Sequence, residues 1–107
     1  MSLEEPNLSY IRELSGGDEE FEQKMLSILK SELPEEIETY QNHVENQEFK
    51  QIAEIVHKIK HKISILGLEK SYESAVKYEK ELLEGDMKGH TDFEELLTKM
   101  SSFLDNA

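Results

Sequence analysis

His57 stands in the run Ile55-Val56-His57-Lys58-Ile59-Lys60-His61-Lys62-Ile63-Ser64-Ile65-Leu66-Gly67. A neutral imidazole keeps one ring nitrogen lone pair free for nucleophilic attack. A histidine mounted on a helix can therefore carry a labile phosphoryl group; an ordinary solvent-exposed histidine is the plainer alternative. Lys60 follows one helical turn later, where an ammonium can offset the charge that phosphorylation adds. Lys58 and Lys62 flank it, either as plain surface charge or as a local attraction for an acidic partner pocket. His57 and His61 stand at i and i+4, a spacing that can also hold zinc. No cysteine exists to complete such a site, and the run is not His-Glu-x-x-His, so metal is the weaker chemistry.

A mounting for these groups is visible in the same stretch. Phe49, Ile52, Val56, Ile59, Ile63 and Leu66 recur at alternating spacings of three and four. This is the strongest amphipathic pattern in the chain and predicts a helix over 48–66, stopped by Gly67. Each helical residue advances about 100°. Ala53, His57, Lys60, His61 and Ser64 therefore form a strip beside the apolar stripe. Val56 holds the backbone to the core while His57 points sideways, mostly toward solvent.

The remaining segments also read as helices. Pro6-Asn7 begins a short one with Leu8, Ile11 and Leu14 on one side, ended by Ser15-Gly16-Gly17. Asp18 is a good N-cap for the next, and Glu19 and Glu20 favour its positive end. Its apolar face is Phe21, Met25, Ile28, Leu29, Leu33, Ile37, Tyr40 and Val44. Pro34 allows either one kinked helix or two helices broken near Ser31. The stripe keeps its phase across Pro34, which favours the kink. Asn46-Gln47 marks the turn before the His57 helix. A fourth helix covers about 69–84, with Tyr72, Ala75, Val76, Glu79, Leu82 and Leu83 on one side. Gly85 and Gly89 bracket a turn, and Thr91-Asp92-Phe93-Glu94 fits a capping box. The last helix carries Phe93, Leu96, Leu97, Met100, Phe103 and Leu104. The expected fold is all-α: an antiparallel up-and-down four-helix bundle with a short additional N-terminal helix.

Composition narrows the function classes. The chain has 107 residues, enough for one domain over 1–107, and residues 1–3 read as a cloning remnant. Acidic side chains number 24 against 12 basic ones, a net charge of -12. Such a surface repels nucleic acid and anionic lipid. The absence of cysteine excludes disulfides and thiol chemistry. There is no membrane-length apolar run and no signal-peptide core, so the expected compartment is the cytoplasm. Paired glutamates such as Glu19-Glu20, Glu35-Glu36 and Glu94-Glu95 read as exposed helix faces rather than acid-base pairs. His43 and His90 read as surface residues.

The segment 52–67 resembles the histidine-containing phosphotransfer (HPt) domain of bacterial two-component phosphorelays. That family has a phosphoacceptor histidine followed by any residue, an apolar residue, lysine and glycine, with a later glycine about ten positions on. His57, Ile59, Lys60 and Gly67 match. Leu8-Ser9-Tyr10-Ile11-Arg12-Glu13-Leu14-Ser15-Gly16-Gly17-Asp18 and Pro34 also resemble the family, so the likeness covers nearly the whole chain. It implies a phosphocarrier without a kinase active site. His57 would take a phosphoryl group from a receiver-domain aspartate and pass it to another receiver, with Lys60 stabilising the charge. Lys58, His61, Lys62 and Ser64 would contact the partner. Partners would be response-regulator receivers and a hybrid sensor histidine kinase. No cofactor is implied on this chain, since magnesium belongs to the receiver. Two positions depart from the pattern. His61 stands where the family usually has glycine, and Lys62 where serine is common. His61 keeps a second reading open, a non-catalytic helical adaptor that binds receiver or kinase domains without transfer.

Overall fold

The computed structural model describes residues 4–107, so residues 1–3, expected as a cloning remnant, lie outside the described part. Five helices follow one another: α1 Ser9–Ser15, α2 Glu19–Glu45, α3 Phe49–Ile65, α4 Glu69–Leu83 and α5 His90–Asp105. No strand occurs among the described residues. Helices α2 to α5 form a bundle in which α3 lies between α2 and α4, while α5 packs on both α2 and α4. Helix α1 rests on α2. One apolar core joins residues of all five helices, from Ile11 through Leu33, Ile59 and Leu82 to Met100.

Helix α3 follows its stripe closely. Ile52, Val56, Ile59, Ile63 and Leu66 are all fully buried, and Phe49 packs against the core's edge. Each such side chain contributes on the order of 1.5–3 kcal/mol by leaving water. Gly67 ends the segment with φ 76°, a left-handed conformation that glycine adopts at no steric cost. A Cβ there would also sit 2.6 Å from the Asn7 side chain. Asn7 donates its backbone N–H to the Leu66 carbonyl at 2.9 Å, so the N-terminal segment is stitched across this turn.

That segment does a second job. No side chain of the α3–α4 turn caps α4. The Glu4 carboxylate does so instead, accepting from the N–H groups of Lys70 and Ser71 at 2.9 and 3.0 Å. Burial opposes its charge, but these backbone donors prevail and hold the Glu4 carboxyl below its ordinary range. Lys99 of α5 donates to the Glu4 carbonyl at 2.7 Å, tying the segment to both helices.

Helix α2 runs unbroken through Pro34, as the preserved phase suggested, and Asp18 caps it by accepting from the Phe21 N–H. Its inner face differs from expectation. Phe21 and Ile28 are exposed, while Leu26 is buried beside Leu29 and Leu33. Helix α4 is also turned. Tyr78 and Ser71 join Ala75 and Leu82 inside, whereas Tyr72, Val76 and Leu83 face solvent. The buried Tyr78 hydroxyl meets the Tyr40 hydroxyl at 2.7 Å, and this pairing lets two phenols enter the core. Burial pushes both phenols up from their ordinary pKa. The capping box expected at Thr91 does not form. Helix α5 begins two residues earlier than that box implies, at His90, with Gly89 in the cap position and no side-chain cap.

Lys62 closes the α2–α3 seam. It was expected as an exposed, partner-contacting lysine but is only 7% exposed. Its Nζ donates to Glu32 Oε1 at 2.9 Å and to Glu36 Oε2 at 3.1 Å, with Glu36 Oε1 at 3.0 Å. Burial disfavours the ammonium, yet the two carboxylates outweigh it and raise the Lys62 pKa above its ordinary value. The stabilisation is therefore complete below about pH 10.4 and is lost as pH rises through the higher folded-state value. Lys62→Met should cost about 2 kcal/mol in urea unfolding at pH 8, because Glu36 is left half-buried without its cation. The gap between the two proteins should narrow at strongly alkaline pH. A gap that widens there would contradict this account.

Candidate functional site

His57 lies in the third turn of α3, between the fully buried Val56 and Ile59. Those neighbours fix the backbone, while the imidazole side chain stays 57% exposed. Its Nδ1 faces the Glu79 carboxylate of α4, 3.2 Å from Oε2 and 3.4 Å from Oε1. Lys60 reaches the same carboxylate, with Nζ 2.7 Å from Oε1. Glu79 thus bridges the histidine and the lysine, one oxygen nearest each.

The Lys60 side chain is not a free solvent-facing cation. It is 11% exposed, and its ammonium stands 5.7 Å from the centre of the Tyr72 ring. An aromatic face at that distance adds a weak attraction for the charge. Lys60 is therefore held within the His57 site by one carboxylate and one ring, both from α4.

An ionised carboxylate only accepts hydrogen bonds, so its contact with Nδ1 selects the tautomer carrying hydrogen on Nδ1. The Nε2 lone pair is then free, and Nε2 makes no hydrogen bond among the described residues. An exposed imidazole with a held Nδ1–H and an unbonded Nε2 keeps a ring lone pair available for chemistry.

The other expected site residues divide. His61 lies one turn beyond His57, with ring centres 5.5 Å apart and the ring planes nearly perpendicular. Lys58 and Ser64 are exposed on the same helix. Lys62 is not with them. Its position on α3 points to α2, and its charge is consumed by Glu32 and Glu36. Ala53, placed on the strip by its spacing, is buried at the edge facing the bundle. His43 is half-buried rather than a plain surface residue and pairs with Glu48 at 2.8 Å across the α2–α3 turn. His90 is exposed near Glu94.

Glu79 is the residue that sequence reasoning missed. It stood in the apolar-looking side of the fourth helix, in register with Tyr72, Val76 and Leu83. An acid in such a row was the available signal. Positions 72, 76, 79 and 83 share one helix face, and Glu79 shows that this face adjoins His57. The exposed Tyr72, Val76 and Leu83 therefore form an apolar ridge beside the histidine. A separate groove of about 410 Å³ opens between α4 and α5, lined by Ala75, Tyr78, Phe93 and Leu96. It includes neither His57 nor Glu79.

Among the described residues, no group of three or more His, Asp or Glu side chains could hold a metal ion. No helix among them is long and apolar enough to cross a membrane. Neither the curated proteins nor the solved structures contain a match to the chain. A family model described as the Hpt domain matches residues 24–107, which include α3, α4, α5 and most of α2. The helical bundle, the histidine borne on α3 and this match lead to one assignment: the chain belongs to the Hpt domain family, whose members are histidine phosphocarriers rather than kinases.

Proposed function

We propose that this domain is a bacterial, cytoplasmic phosphorelay carrier that accepts a phosphoryl group on His57 Nε2 from the aspartyl phosphate of a receiver domain. It then passes the group to an aspartate of another receiver. The observation that carries this reading is the Glu79 contact to His57 Nδ1, which leaves Nε2 unbonded on a side chain that is 57% exposed.

The transfer balances without a cofactor on this chain. The Nε2 lone pair attacks phosphorus in line, and the bond from phosphorus to the aspartyl oxygen breaks. The receiver regains a carboxylate. The ring, now bonded to phosphorus at Nε2 and still bearing hydrogen at Nδ1, becomes cationic. Glu79 stabilises that cation, since a carboxylate bonds more strongly to a charged donor than to a neutral one. Lys60, already beside Glu79, offsets the charge of the phosphoryl oxygens. The divalent cation comes with the receiver.

Docking uses the exposed surface around the histidine. Lys58 and Ser64 lie along α3, and the ridge of Tyr72, Val76 and Leu83 supplies apolar area on α4. Because the chain carries a net charge of -12, an acidic receiver surface gains from approaching beside Lys58, the lysine of this run whose charge is left free. A hybrid sensor kinase would reach this surface through its own receiver. The adaptor reading rests on His61, whose ring stands beside His57 where a small residue would leave more room.

Mixing the protein with a phosphorylated receiver and magnesium should place acid-labile label on the wild type and none on His57→Gln. Equal labelling of the two would sink the assignment of His57. If the wild type stays unlabelled and His61→Gly takes label, the carrier geometry is present but blocked; if neither takes label and both bind a receiver, the adaptor reading replaces the carrier. Glu79 is a positioning residue, so Glu79→Gln should slow acceptance by about tenfold, the worth of one hydrogen bond to a charged group. Nitrogen-15 NMR should also show the Nδ1–H tautomer of His57 less populated in that variant. Unchanged rate and tautomer together would remove Glu79 from the mechanism.

A further inference from the structure

We propose that His61 is a phosphoryl-binding residue: with His57 phosphorylated at Nε2, a ring N–H of His61 donates to a phosphoryl oxygen and slows the release of the group. The inference rests on the reading of His57 as phosphoacceptor and adds a residue whose type departs from the family pattern.

Geometry places His61 for this role. Side chains on a helix lean toward its N-terminus, so a residue one turn later reaches back over His57. The two ring centres lie 5.5 Å apart with planes at 89°, so the edge of one ring addresses the other. Glu79 occupies the Nδ1 side of His57 from α4. The incoming group must therefore attach at Nε2, and His61 is the α3 side chain whose ring packs edge-on against that of His57. Lys60 is tied to Glu79 at 2.7 Å, and Lys62 is tied to Glu32 and Glu36. His61, by contrast, makes no hydrogen bond or ion pair among the described residues; its one ring contact is with His57. It reaches the site with uncommitted ring nitrogens.

The chemistry fits that position. An imidazole always carries at least one N–H, so His61 can donate whether neutral or charged. Phosphoryl oxygens are strong acceptors. As the group leaves, it passes through a loose, metaphosphate-like state. A donor fitted to the oxygens of the bound dianion favours the resting phosphohistidine over that state. Glycine at this position could supply neither the donor nor the hold. His61 thus makes the carrier a longer-lived store of the phosphoryl group, and the same ring narrows which receivers can approach.

Phosphoramidate is the probe, since it needs no receiver. His57 Nε2 attacks its phosphorus, the phosphorus–nitrogen bond of the reagent breaks, and ammonia leaves. After removal of excess reagent, phosphorus-31 NMR follows the decay of phosphohistidine. His61→Ala should shorten its lifetime by about tenfold, the worth of one charge-assisted hydrogen bond. His61→Phe keeps the bulk of a ring without a donor and should match Ala. His61→Arg keeps a donor and should retain a lifetime near that of the wild type. Decay at the wild-type rate in His61→Ala, or in His61→Phe, overturns the proposal, the latter because bulk alone would then explain the effect. Label that persists in His57→Gln, or fails to appear on the wild type, overturns the phosphoacceptor reading and this proposal with it.

Discussion

The burial of one face of α3 is the constraint from which the rest of the site follows. Val56, Ile59 and Ile63 have no solvent exposure, so the helix cannot rotate without pulling several methyl-rich side chains into water. With that face held, the direction of every other residue on α3 is set by the helical repeat. His57 emerges beside α4, Lys62 beside α2, and His61 between them. A flexible loop could carry the same residues but would not fix their directions.

The two neighbouring helices then treat the lysines of α3 differently. Lys62 meets Glu32 and Glu36 and becomes a buried fastener between α2 and α3. Lys60 meets Glu79 and Tyr72 and becomes part of the histidine's surroundings. Lys58 remains exposed. Three lysines within five residues look alike as a basic cluster, yet only one keeps its charge free for long-range attraction. The carboxylates that divide them belong to helices distant in sequence. A chain with twice as many acids as bases has such partners available on almost every face.

Helix α4 shows how a correct helix can carry a misjudged face. Its apolar residues cover more than one side, and spacing alone made Tyr72, Val76 and Leu83 as good a core stripe as Tyr78. The Tyr40–Tyr78 hydroxyl pair settles the rotation. It satisfies two phenols that could not otherwise enter the core unpaired. Once Tyr78 is inside, Tyr72, Val76 and Leu83 are carried to the surface and Glu79 is brought against His57. Phe21 and Ile28 on α2 are left outside for a similar reason: a helix with apolar residues around much of its girth buries only the part its neighbours cover.

The existence of all five helices was legible in the amino-acid order, because the Asp18 cap, glycines and periodic apolar residues act locally. The helix bearing His57, its inner face and its continuity with Gly67 were legible for the same reason. So was the passage of α2 through Pro34, where the stripe keeps its phase. Local order also placed His57, Lys60 and His61 along one strip. What only the tertiary structure decided was which of those side chains has a partner. Glu79 lies 22 residues from His57, and Glu32 lies 30 from Lys62. No local spacing encodes contacts made by helices that meet across a bundle. Their rotation about their own axes is chosen by packing and by the pairing of buried polar groups. That choice turned one expected docking lysine into a structural tie and a glutamate read only as part of a helix face into the neighbour of the histidine.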